Sequence, residues 1–175
     1  MRTGIALIGF MGTGKTALGQ RLAEKLGKEF VELDALIEKK AGKTIAEIFR
    51  QEGEIRFREL EIDVAREIAA KKNAVIACGG GIVLNKINID RLQKKNVIVC
   101  LQASPAVILK RTSGDTAGRP LLAVTDRLQK IKDMLKYRQP YYAQAAEITI
   151  NTSRININGA ADKIIEILRN YETDH

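Results

Sequence analysis

The chain alternates short, uniformly apolar runs with longer stretches in which apolar residues recur every three or four positions. Ile5 to Ile8 reads as a first buried strand. From Thr16 to Leu26, the residues Leu18, Leu22 and Leu26 fall at i, i+4 and i+8 on one helix face, and Gly27 ends that helix. Phe30 to Leu33 predicts a second short strand. A helical tract runs from Ala35 to about Ala70, broken by Gly42 and Gly53. Ala74 to Ala77 and Val97 to Leu101 are apolar at every position, as strands covered on both faces are. Ile148 to Ile150 predicts a last strand, and Ala160 to Leu168 a closing amphipathic helix with Ile164, Ile165 and Leu168 inward. Strands without internal alternation, separated by helices, predict an α/β fold: a parallel sheet with helices on both faces. There is no internal repeat and no low-complexity segment.

The first strand runs straight into Gly9-Phe10-Met11-Gly12-Thr13-Gly14-Lys15-Thr16, which matches G-x-x-x-x-G-K-[ST] between a strand and a helix. The glycines let the backbone curl so that successive N–H groups point at phosphate oxygens. The helix that follows adds its positive N-terminal end. Lys15 can reach the β- and γ-phosphates and the Thr16 hydroxyl can ligate Mg²⁺. A strand–helix turn without a ligand would not need this full set, so the pattern implies a nucleoside triphosphate and a phosphotransferase. A GTPase reading fares worse. Asp115-Thr116-Ala117-Gly118 fits D-x-x-G, yet no apolar strand leads into it, and Asn85-Lys86-Ile87-Asn88 lacks the Asp that would read guanine.

Composition narrows the partners. The 175 residues fit a single domain able to bury its own core. The 29 Lys and Arg against 21 Asp and Glu leave a net charge of +8. A nucleic-acid surface wants clustered cations and stacking aromatics. Here the aromatic content is 5%, Trp is absent, and the pairs Lys39-Lys40, Lys71-Lys72 and Lys94-Lys95 are scattered. The excess fits solvated helix faces together with arginines that attract small anions. Cys78 and Cys100 lie in apolar runs and read as core thiols. The apolar run at the N-terminus is too short for a signal peptide or a membrane span, so a cytoplasmic protein is expected.

Candidate chemistry for an acceptor follows in chain order. Asp34 closes Val31-Glu32-Leu33-Asp34, and ligands of open parallel sheets sit at the carboxyl ends of strands. A carboxylate there can orient or deprotonate an attacking hydroxyl, although Asp is also a favoured helix cap. Arg58 and Glu61 stand at i, i+3 on one helix face. They form either a solvated ion pair or a guanidinium fork for an anionic acceptor, oriented by its own carboxylate. Gly79-Gly80-Gly81 follows the third apolar run, where three glycines allow φ > 0 and close backbone approach. Thr112 to Gly118 is a loop by composition; Arg111 and Arg119 bracket it, and Arg119-Pro120 stiffens its end. A lid that expels water and brings an Arg onto developing charge is the functional reading of such a loop.

In order, GFMGTGKT, LDALIEKKAGKTIAEIFRQEGEIRFRELE, ACGGGIVL, GRPLL and YRQPYY resemble the shikimate kinase family, a small branch of the nucleoside-monophosphate-kinase-like P-loop group. The resemblance spans nearly the whole chain, and the second segment is far more specific than the first. It implies a three-layer fold with a five-stranded parallel sheet of order 2-3-1-4-5 and a monomer that phosphorylates shikimate with ATP and Mg²⁺. A mobile lid at about 112–124 and an acceptor-binding helical region at about 34–61 would lie within one domain, 1–175. Gly12, Thr13, Gly14, Lys15, Thr16 and Ala17 would hold ATP, and Arg119 would reach its phosphates from the lid. Arg111 and Arg154 would border the adenine. Asp34 would contact and activate the ring hydroxyl. Arg58 and Arg138 would clamp the carboxylate, with Glu61 behind Arg58, and Gly79, Gly80 and Gly81 would line the ring pocket. One position departs from the pattern: Glu32 stands where the family usually carries an Asp that holds Mg²⁺ through water. A longer carboxylate can still reach a hydrated ion. The same constellation leaves room for a kinase of gluconate, another hydroxy acid or a nucleotide, and for an ATP-binding module without turnover.

Overall fold

The computed structural model describes residues 2–115 and 118–173. In chain order these form β1 (Gly4–Gly9), α1 (Lys15–Leu26), β2 (Glu29–Glu32), α2 (Leu33–Ala41), α3 (Ile45–Ile68), β3 (Ala74–Ala77), α4 (Lys86–Leu92), β4 (Asn96–Gln102), α5 (Pro105–Thr112), α6 (Arg127–Ala145), β5 (Ile148–Asn151) and α7 (Ile157–Thr173). Single 3-10 turns add Ile82–Leu84 and Pro120–Leu122. The five strands make one parallel sheet in the order β2-β3-β1-β4-β5. In its register Ile5 stands between Val75 and Val97, which brings the carboxyl ends of β1, β3 and β4 to one edge.

Side chains along a strand alternate between faces, and β1 divides the core accordingly. Ile5 and Leu7 pack with Leu18 and Leu22 of α1 and with Ala160, Ala161 and Ile164 of α7. Ala6 and Ile8 face the other layer, built from α2 to α6 around Ile37, Ile48, Val64, Leu92, Ile108 and Ile131. Three layers result. Ile164 is fully buried and Ile165 and Leu168 are partly so, as the helical period requires. Cys78 and Cys100 are free, buried thiols.

Several boundaries differ from the sequence reading. β2 ends at Glu32, and Leu33 already belongs to α2, so Asp34 lies in the first helical turn and Glu32 is the cap residue. Asp34 is therefore neither a strand end nor the N-cap. The long helical tract is broken at Gly42, as expected from the sequence, into two helices. Gly42 closes α2, and Thr44 starts α3 with a capping box in which its hydroxyl accepts from the Glu47 N–H while the Glu47 carboxylate accepts from the Thr44 N–H. Gly53, at φ 84° and ψ 173°, kinks α3 without ending it. The stretch read as a lid is tied at both sides: Thr112 and Leu122 are fully buried. Thr116 and Ala117, the middle of that stretch and of the D-x-x-G match, lie outside the described residues.

Candidate active site

Between β1 and α1 the chain bends through Gly12 and Gly14, at φ 77° and 96°, a region glycine enters without steric cost. Lys15 arches back over this loop, and its Nζ donates to the carbonyls of Gly9 at 2.7 Å and Phe10 at 2.9 Å. Burial pulls the Lys15 ammonium down to about 8, against the opposing pull of the Asp34 carboxylate. Thr16 Oγ1 donates to Glu32 Oε1 at 2.5 Å. Lys15, Thr16, Ala17, Glu32, Asp34 and Arg119 all line one cleft. Among the described residues no group of three or more His, Cys, Asp or Glu could hold a metal alone. One hydroxyl and one carboxylate do fit a hydrated Mg²⁺ whose remaining ligands are phosphate oxygens and water.

A second cleft opens where α3, α6 and the glycine turn after β3 converge. Arg58, Glu61 and Arg138 line it, with the rings of Phe49 and Phe57. Arg58 is held from two sides, since Nη1 donates to Glu61 Oε1 at 2.9 Å and Nη2 to Glu54 Oε1 at 3.2 Å. The Glu61 side chain is 0% exposed. Burial raises its carboxyl above the usual range, offset by Arg58. Asp34 is shifted the same way by burial, with Lys15 opposing. Asp34 Oδ1, Glu61 Oε2 and Arg58 Nε are buried without a hydrogen-bond partner. Buried groups of that kind are normally satisfied, so three around one cleft point to a polar ligand.

The glycine turn works differently from the sequence expectation. None of Gly79, Gly80 and Gly81 has positive φ. They are required by proximity instead. A Cβ on Gly79 would stand 2.9 Å from Asp34 Oδ1 and 3.1 Å from Glu61 Oε2, and one on Gly81 would stand 2.4 Å from Arg58 Nη2. Side chains here would push the charged groups out of the cleft.

The two clefts share a wall. Asp34, Gly79, Gly80 and Arg119 line both, together with Met11 and Gly118. A third cleft, lined by Leu18, Thr152, Ile155, Asn156 and Ile157, continues from the loop past Arg111. Arg111 is fixed there: Nη1 donates to Gly12 O at 3.2 Å, and Nη2 to Thr152 O at 2.7 Å. Arg154 is exposed and is not among the residues that line this cleft, although its neighbour Ile155 is. The Thr13 hydroxyl turns inward and donates to Phe10 O, so only its backbone can face a ligand. Two supporting residues escaped the sequence reading. Thr152 Oγ1 donates to Thr13 O at 2.8 Å, across 139 residues of chain, and Tyr142 Oη donates to Gly80 O at 2.5 Å, across 62. Tyr142 closes the segment YRQPYY, but nothing local in the sequence marks the carbonyl that either residue reaches.

With this geometry in place, comparison with known proteins is decisive. A family model described as shikimate kinase matches residues 11–169. The chain belongs to the shikimate kinase family. A shikimate kinase from Pelotomaculum thermopropionicum is 45% identical over 167 residues, covering 95% of this chain and 96% of that one. Another, from Thermodesulfovibrio yellowstonii, is 47% identical over 162 residues, 93% and 92% of the two chains. A shikimate kinase from Acinetobacter baumannii, solved in complex with shikimate, superposes with a TM-score of 0.93 at 39% identity, covering 98% of this chain and 95% of that one. These shikimate kinase relatives match 93–98% of this chain, and the sheet order expected from the resemblance is the one observed.

Proposed function

We infer that this chain transfers the γ-phosphate of ATP to a ring hydroxyl of shikimate, giving shikimate 3-phosphate on the route to aromatic amino acids. The observation that carries the reading is the shared wall: Asp34 and Arg119 line both the phosphate cradle and the cleft that holds Arg58, Glu61 and Arg138. A nucleotide in one cleft and an anionic polyol in the other would meet across those two side chains.

Phosphoryl transfer passes through a loose transition state with charge spread over the transferring oxygens, so positioning and electrostatics supply most of the catalysis. Lys15 and Arg119, which line the same cleft, are assigned to stabilise that charge. Asp34 is assigned to orient the attacking hydroxyl and take its proton; its raised carboxyl affinity for protons suits that task. Arg58 and Arg138 would hold the acceptor carboxylate, Glu61 holding Arg58 in turn. Gly79 to Gly81 would admit the ring. Gly12 to Ala17 would bind the phosphates, and Arg111 would stand beside the base. Mg²⁺ bound with the nucleotide would neutralise phosphate charge; Thr16 and, through water, Glu32 are the side chains that would hold it. The working unit proposed, following the family resemblance, is a monomer in the cytoplasm. No described helix is long and apolar enough to cross a membrane.

A coupled assay for ADP tests the reaction, with shikimate, gluconate, nucleoside monophosphates and no acceptor in parallel. Shikimate-dependent turnover well above the other arms is expected. Turnover with gluconate or a nucleotide instead would move the chain to another branch of the group. ATP binding without turnover on any acceptor would make it a non-catalytic module.

A further inference from the structure

Thr152, the first residue beyond β5, is 6% exposed and reaches back to the phosphate loop. Its backbone N–H donates to Gln102 O at 2.8 Å, which ties it to the end of β4. Its hydroxyl has one proton to give. The Thr13 carbonyl lies at 2.8 Å from Oγ1, against 3.2 Å for that of Gln102, which already holds the backbone N–H. The same oxygen accepts from Arg111 Nη1 at 3.1 Å, so the hydroxyl proton is turned away from Arg111 and onto Thr13. Thr13 is 1% exposed, and water cannot replace a bond lost at its carbonyl.

A trans peptide points its C=O and the following N–H in opposite directions. With the Thr13 carbonyl held toward Thr152, the N–H of the same peptide, that of Gly14, is aimed the other way. Gly14 lines the phosphate cleft and caps α1. We propose that Thr152 is a positioning residue for the phosphates of the nucleotide: its hydroxyl fixes the plane of the Thr13–Gly14 peptide and with it the direction of the Gly14 N–H. This rests on the phosphate-cradle reading above. Gly14 needs an outside tie, since it has no side chain to restrict its backbone and nothing lies within 4 Å of where a Cβ would stand. Arg111 does not supply that tie, because its guanidinium donates to Gly12 O and Thr152 O and not to the Thr13 carbonyl. Thr13, Gly14, Arg111 and Thr152 all lie outside the lining of the acceptor cleft, so the effect belongs to the nucleotide alone.

The test is Thr152→Val, which keeps the shape of the side chain and the backbone carbonyl that holds Arg111 Nη2 but has no hydroxyl. The ATP KM is expected to rise about tenfold, the effect of leaving a buried carbonyl without its donor, while the shikimate KM stays within about twofold of wild type. Thr152→Ser keeps the hydroxyl and should hold the ATP KM within about threefold of wild type. Calorimetry with inorganic tripolyphosphate, which has phosphates and no base, should show its Kd rising by the same factor as the ATP KM. Thr152→Ala also lacks the hydroxyl; it carries the same expectations and replaces the Val variant if that does not fold. An unchanged ATP KM, a Ser variant as impaired as the Val variant, or an equal rise in the shikimate KM would each overturn the assignment. So would an unchanged tripolyphosphate Kd, which would move the effect to the base, and so would loss of folding in both the Val and Ala variants, which would show a structural role. The tripolyphosphate measurement needs no turnover. A wild-type protein that binds this probe and does not phosphorylate shikimate would sink the kinase reading and leave the role of Thr152 standing, whereas a wild-type protein that does not bind it would overturn both.

Discussion

Removing the Arg58 guanidinium separates its two jobs, support of a buried carboxylate and capture of the acceptor. The Arg58 and Glu61 side chains are 14% and 0% exposed, and Glu61 Oε1 takes its bond from Arg58 at 2.9 Å while Oε2 has no partner. In Arg58→Met the carboxylate is left buried and uncompensated, a change that costs about 3–5 kcal/mol. The pair with half-exposed Glu54 adds little. At roughly 2–4 °C per kcal/mol for a chain of this size, the melting temperature should fall by about 6–20 °C at pH 7.5. The pH dependence has a definite sign. Glu61 already has a raised carboxyl in the folded protein, and losing Arg58 raises it further. A folded acid that binds its proton more tightly than the unfolded chain loses stability as pH rises through its folded pKa. The defect should therefore shrink toward pH 5. Adding Glu61→Gln removes the buried charge and should restore most of the loss and flatten the pH profile. Shikimate KM should stay roughly 10- to 100-fold high in both variants, with ATP KM unchanged. Thermal scans across pH and steady-state kinetics read both arms. A melting temperature within 2 °C of wild type, or a Glu61→Gln change that deepens the loss, refutes the reasoning.

Other outcomes follow from the same geometry. Lys15, at about 8 in the free protein, should take up a proton when ATP binds above that pH. Calorimetry in buffers of different ionisation enthalpy should give on the order of one proton at pH 9 and about a tenth at pH 7; no buffer dependence at pH 9 would contradict it. Gly81→Ala sets a Cβ 2.4 Å from Arg58 Nη2 and should raise shikimate KM about tenfold without affecting ATP, whereas wild-type kinetics would show that Arg58 does not hold the acceptor. Burial pushes the Cys78 thiol up to about 12 and Cys100 up to about 11, so neither should react with a thiol reagent at pH 8 until the chain unfolds. Rapid labelling of the native protein would mean that their strands open.

The phosphate loop was legible in the sequence because all its parts sit within eight consecutive residues whose geometry is local. The layered fold was legible for a related reason, since runs such as Ala74–Ala77 can only be covered on both faces. Asp34 was harder. Leu33 is buried whether it ends a strand or opens a helix, so hydrophobicity could not place the boundary. The glycine turn was rightly singled out for the wrong cause, because the need arises from Asp34, Glu61 and Arg58, which reach it from elsewhere in the chain. Thr152 and Tyr142 act across long separations on backbone carbonyls, and an acceptor that every residue possesses leaves no sequence mark.

Asp34 stands on the wall between the two clefts, and its replacement probes the transfer step itself. For Asp34→Asn, turnover with saturating ATP and shikimate should fall by at least about 100-fold while the ATP KM stays within about twofold of wild type. Turnover that stays within about tenfold of wild type would mean that the hydroxyl is activated somewhere else.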